Sequence, residues 1–154
     1  MKHILIAMAL AATICISAFA QNKGEKLTKW MDDMRQVKVE FVAKELKLSA
    51  QQKEKFAPVY DAMNREIGKV SRETRALEKS VRDKGAAATD LEYEKATEAM
   101  VDLKGKECEI EKKYREQLKT ILTKKQLFDL SQAERKFARE LMKQHRAGKH
   151  NKRK

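Results

Sequence analysis

Eight residues between Phe56 and Val81 follow one another at steps of 4, 3, 4, 3, 4, 3 and 4: Phe56, Tyr60, Met63, Ile67, Val70, Thr74, Leu77 and Val81. All but Thr74 are apolar. A 4-3 alternation keeps its members on one seam of an α-helix, whereas the two-residue period of a strand would scatter them over both faces. At 1.5 Å per residue the seam is about 38 Å long, and it calls for a partner helix of similar length. Ala96, Met100, Leu103, Glu107, Ile110, Tyr114, Gln117 and Ile121 repeat the spacing, weakened by Glu107 and Gln117 and broadened by Leu118. Between the two seams, Gly85-Ala86-Ala87-Ala88 supplies a break. Thr89-Asp90-Leu91-Glu92 then has the hydroxyl and carboxylate of a capping box, which restarts the helix. The two seams therefore predict a long antiparallel helical hairpin.

Two shorter helices flank it. Leu27, Trp30, Met31, Met34, Val37, Phe41 and Leu46 recur at helical spacing and lead to an end near Lys47. Leu127, Leu130, Phe137 and Leu141 mark a fourth helix. Pro58 lies inside the second helix, where it removes the bond to the Glu54 carbonyl, so a kink or restart is expected between Glu54 and Pro58. From Lys143 the chain is basic and lacks large apolar residues, and residues 143–154 are expected to form a disordered tail. Five glycines, one proline and 38% charged residues agree with an all-α fold of four helices in one domain over residues 21–142.

Both flanking helices meet the hairpin at the same short string. Leu48-Ser49-Ala50-Gln51-Gln52 precedes the second helix and Leu122-Thr123-Lys124-Lys125-Gln126 precedes the fourth. Ser49 and Thr123 are N-cap residues whose hydroxyls accept from a backbone N–H one turn on. Gln52 and Gln126 reach back to the cap residue's own N–H, completing a capping box. Leu122 and Leu127 occupy the positions of a hydrophobic staple; in the first copy Lys53 stands where Leu127 does in the second.

The chain opens like a secretory leader. Lys2 is followed by an uncharged, mostly apolar run from Ile4 to Ala20, ending in the small-x-small site Ala18-Phe19-Ala20. Residues 1–20 are read as a cleaved signal peptide, which places the mature chain in the periplasm of a two-membrane bacterium. Ile14 before Cys15 does not fit a lipobox. Cleavage removes Lys2 from a formal net charge of +12 and leaves one cysteine, Cys108, so no internal disulfide can form in the mature chain.

No set of residues points to catalysis. His145 and His150 lie in or beside the basic tail, and Cys108 is remote from both. The two histidines are five apart rather than four, which does not place two ligands on one helix face. No enzyme activity, metal or cofactor is expected. The charge is more informative. With the seam at a and d, Arg65, Arg72 and Lys79 fall at successive f positions, flanked by Lys69, Arg75 and Arg82. Such a stripe is either an ordinary solvated face or a steering surface for acidic and amphiphilic partners. Nucleic acid is disfavoured by export, and no stable membrane insertion is expected. Met31, Met34, Met63, Met100 and Met142 sit at or beside helical seams, which suits core packing and also adaptable apolar contact.

The paired Leu-Ser/Thr-x-x-Gln strings, the leader and the basic helical body resemble the Spy/CpxP group of periplasmic proteins, which carries an LTxxQ repeat. The second copy matches that motif fully and the first has Ser for Thr; the likeness covers roughly residues 40–142. The resemblance implies a thin, cradle-like homodimer of four-helix chains. It also implies an ATP-independent holdase for unfolded or misfolded envelope proteins. Two other roles occur in the group: repression of an envelope-stress sensor kinase, and metal-responsive sensing with His and Cys ligands, of which this chain has no convincing set. Under this reading Leu48, Ser49, Gln52, Leu122, Thr123 and Gln126 are structural helix starts. Arg65, Arg72 and Lys79 are the expected client-binding residues, chosen on the heptad spacing alone.

Overall fold

The computed structural model describes residues 26 and 29–151. The leader read over residues 1–20 and the first seam residue, Leu27, lie outside the described residues. Four helices and no strand occur among them: α1 over 29–45, α2 over Ala50–Lys84, α3 over Asp90–Leu118 and α4 over Lys124–Asn151. The fold is all-α, as the two seams require. The chain divides into two compact units, 1–37 and 38–154. In the first, the described residues are helical and Arg35 pairs with Asp32 one turn away. The second holds the rest of α1 and the other three helices.

α2 and α3 form the expected hairpin. Gly85–Ala87 is a single 3₁₀ turn, entered through Gly85 at φ +51°, a backbone region that L side chains rarely adopt. Thr89 caps α3 with a complete capping box to Glu92. Of the kink or restart expected at Pro58, the restart does not occur: α2 runs from Ala50 to Lys84 with Pro58 inside it. Pro58 and Glu54 both sit on the exposed face, so the carbonyl freed by proline is open to water. The tail is a departure from expectation. α4 continues through Lys143 to Asn151.

The core gathers at the end of the hairpin where the chain enters and leaves it. Val39, Val42 and Ala43 of α1, with Leu46 just after it, pack with Phe56, Tyr60 and Met63 of α2. Ile110 and Leu118 of α3, Leu122, and Leu130 and Ala133 of α4 complete the cluster. Phe56 stacks on Tyr60 with ring centroids 4.8 Å apart, and Phe41 meets Phe137 at 5.5 Å. Burial along the α2 seam is less complete toward the tip. Phe56, Tyr60, Met63 and Thr74 are buried, Ile67, Val70 and Val81 are partly buried, and Leu77 is 45% exposed. The cause is geometric. Near its tip the hairpin is only two helices thick, and two cylinders cannot enclose a seam on every side.

Candidate functional site

The two repeated strings, 74 residues apart, meet. Each begins with a helix end. α1 closes in a Schellman turn: the Leu48 N–H donates to the Ala43 carbonyl at 3.1 Å and the Lys47 N–H to Lys44 at 3.0 Å. Lys47 takes the left-handed position at φ +52°. The Leu that opens the motif is thus also the apolar residue that follows a Schellman turn, packed against the core. Each string then opens a helix. The Ser49 N–H donates to Gln52 Oε1 at 3.2 Å and the Thr123 N–H to Gln126 Oε1 at 3.0 Å. Both boxes form as the sequence indicates.

The glutamines do more than cap. Gln52 Nε2 donates to Gln126 Oε1 at 2.9 Å, and Gln126 Nε2 donates to Gln52 Oε1 at 3.2 Å. Each Nε2 also reaches across to a carbonyl at the other corner. Gln52 binds Ile121 O at 3.0 Å and Gln126 binds Leu46 O at 3.2 Å. Two helix ends that would leave carbonyls unpaired are closed by the side chains that start the next helices. The third capping box, at Thr89, has Glu92 in place of Gln and stands alone. A carboxylate caps as well as an amide but has no N–H to give, which explains why the two boxes that meet carry Gln. Where Leu127 would have a counterpart in the first copy, Lys53 instead reaches Glu40 at 2.6 Å and ties α2 to α1.

Beside this corner lies a partly buried polar cluster whose members, far apart in the chain, share no local spacing that would reveal it. The Tyr60 hydroxyl donates to Glu134 Oε1 at 2.7 Å, and Lys38 Nζ lies 3.7 Å from the same oxygen and donates to Asn64. Burial holds the Lys38 ammonium below its ordinary pKa, opposed by Glu134 and Glu111. Burial and the Glu134 charge push the Tyr60 phenol well above its own. The Tyr60 shift favours the protonated phenol as a donor to the carboxylate. Glu134 also lines a cleft of about 260 Å³ between α3 and α4, floored by Met63, Leu118 and Leu130 and walled by Glu111, Arg115 and Arg135.

The cations singled out on α2 sit where the heptad put them, on the exposed face, but mostly with acidic neighbours. Arg65 Nη2 donates to Asp61 at 2.9 Å, and Lys79 pairs with Asp83. Lys69 lies 3.9 Å from Glu73, and Arg82 is 3.1 Å from Glu78. The Arg72 guanidinium folds back over Gly68. Four of these cations therefore have a carboxylate four residues away along the helix, which reduces the field the stripe can project.

Apolar side chains are left open on the same hairpin. Leu77 and Met100 are seam residues exposed by the thinness of the tip, each at 45%. Val101, outside the seam, is 73% exposed and borders a shallow trough with Val70, Gly105 and Ile110, edged by Glu66 and Lys106. Among the described residues, no group of three or more His, Cys, Asp or Glu side chains converges on a metal position. Cys108 is free and exposed. The side chains of His145 and His150 lie outside the described residues.

These features define an all-α protein built on an exposed helical hairpin, locked at its base by a glutamine clasp. Set against known proteins, the chain matches no family model, no curated protein and no solved structure.

Proposed function

We propose that the chain is an exported, ATP-independent holdase that captures unfolded segments on the open face of its hairpin. The observation that carries this reading is the exposure of three large apolar side chains on the hairpin, Leu77, Met100 and Val101. An unfolded segment exposes apolar side chains that these can cover, and covering apolar surface is favourable by about 25 cal/mol per Å². The net charge, +11 once Lys2 is cleaved from the +12 of the full sequence, speeds encounter with acidic segments. Arg65, Arg72 and Lys79 belong to this reading as the rim of the surface. A surface of this size binds weakly, so a client can leave and fold without nucleotide. A second copy of the chain would compete for the same side chains, and the homodimer expected from the sequence is part of the proposal.

The test is light scattering from a heated or reduced client, with and without the mature chain. Suppression at stoichiometric ratio in low salt is expected. The triple variant Leu77→Gln, Met100→Gln, Val101→Gln keeps helix-forming residues at all three places and should lose suppression without losing helicity. Full suppression by this variant would overturn the reading. Sedimentation velocity across a concentration series, with the same variant, reads whether a second copy uses these side chains.

A further inference from the structure

The last helix carries a second row of exposed side chains at the same 4-3 spacing as the α2 seam, but turned to water. Phe128, Gln132, Arg135, Arg139, Met142 and Arg146 follow at steps of 4, 3, 4, 3 and 4, and all are exposed. Phe128 is 72% exposed and Met142 55%. The row spans about 27 Å along one helix at 1.5 Å per residue. Unlike Arg65, Lys69, Lys79 and Arg82 of α2, its arginines, Arg135, Arg139 and Arg146, close no ion pair with a carboxylate among the described residues. Arg135 makes only a long contact of 3.4 Å to the Ser131 hydroxyl. The last twenty residues of the sequence hold nine Lys or Arg against a single acid, Glu140, which is itself held by Lys143 at 2.9 Å.

We infer that this row of α4 is a docking surface for anionic phospholipid, seating the chain on a membrane face. Three observations select that partner. Guanidinium groups present planar pairs of donors that match phosphate oxygens. Phe128 and Met142 stand in the same row as the arginines, so the face that meets phosphates also offers large apolar groups to the acyl boundary beneath them. A straight row on one helix meets a plane along its whole length, and basic clusters on an amphipathic helix are a recognised fit to anionic headgroups. No helix among the described residues is long and apolar enough to cross a membrane, so the contact is with the surface. The surface is separate from the hairpin side chains assigned to clients, and its test does not depend on that assignment.

The experiment is co-sedimentation of the full mature chain with vesicles of phosphatidylcholine, with and without phosphatidylglycerol. Binding is expected only with phosphatidylglycerol, and it should weaken as salt rises. Each cation at an anionic surface is worth about fivefold in partitioning, so Arg135→Gln, Arg139→Gln, Arg146→Gln should weaken binding on the order of 100-fold. Phe128→Gln with Met142→Gln should weaken it further at high salt, where the apolar contact carries more of the binding. The control triple Arg65→Gln, Arg72→Gln, Lys79→Gln removes the same formal charge from α2 and should leave most of the binding intact. Equal loss in the two triples would mean that net charge acts rather than the row, and would overturn the inference. So would vesicle binding by the α4 triple equal to that of the parent, or binding of single-stranded DNA that outcompetes the vesicles. Helicity and the melting midpoint of each variant, expected unchanged at these exposed sites, separate loss of the surface from loss of the fold.

Discussion

Replacing the paired glutamines tests the corner that holds the hairpin. Four hydrogen bonds involve the Gln52 side chain: one from the Ser49 N–H, one to Ile121 O and two exchanged with Gln126. Gln126 has the matching four, with Thr123 and Leu46 as its other partners. At about 0.5 kcal/mol net per bond, the low end for partly buried neutral groups, Gln52→Ala and Gln126→Ala should each cost about 2 kcal/mol. The two exchanged bonds are lost only once in the double variant, which should therefore cost about 3 kcal/mol. The coupling between the sites is then about 1 kcal/mol, read from a double-mutant cycle by urea denaturation. Gln52→Glu sharpens the test. It keeps the acceptor that caps Ser49 but has no N–H for Ile121 or Gln126, so it should lose most of what Ala loses. At Thr89 the same Glu is already the natural partner. A neutral Gln52→Glu together with zero coupling would refute the argument that these positions carry Gln because the two boxes meet.

Three further outcomes follow from the structure. Phe56→Ala should cost about 3–5 kcal/mol in thermal or urea unfolding, because it opens a cavity in the core and removes the ring stacked on Tyr60. Lys47→Gly should stabilise the chain by about 1 kcal/mol, since Lys47 is an L-residue in the left-handed position that closes a Schellman turn. Glu92 accepts from Lys84 and from the Thr89 N–H, and both hold its carboxyl below the usual range. Its stabilising contribution is present above the unfolded value of 4.5 and is lost as pH falls through the lower folded value. Glu92→Gln keeps the capping contact and should show a shallower loss of melting temperature between about pH 6 and about pH 3 than the parent does.

The sequence by itself determined every feature that depends on residues within a turn or two of one another. The seam of Phe56 to Val81, the break at Gly85, and the capping boxes at Ser49, Thr89 and Thr123 are all written at spacings of three, four or seven. A helix brings such residues together whatever lies elsewhere in the chain. The i,i+4 acids that neutralise much of the α2 stripe were legible by the same rule, as Asp61 before Arg65 and Asp83 after Lys79. Local rules misjudged the segment after Lys143, and they offered a restart at Pro58 that α2 does not make. Whether a freed carbonyl meets water depends on which side of α2 faces the core, and a basic stretch can extend a helix already nucleated by the packing of Leu130 and Ala133.

Only the tertiary structure decided what these helices do to one another. It joined Gln52 to Gln126 across 74 residues, and it set Tyr60 against Glu134. It also left Leu77, Met100 and Val101 open on the hairpin, while Thr74 and Ala96 on the same two helices are buried. Such contacts depend on which faces meet once the chain has turned back on itself, and a one-dimensional period carries the face of each helix but not the identity of its neighbour.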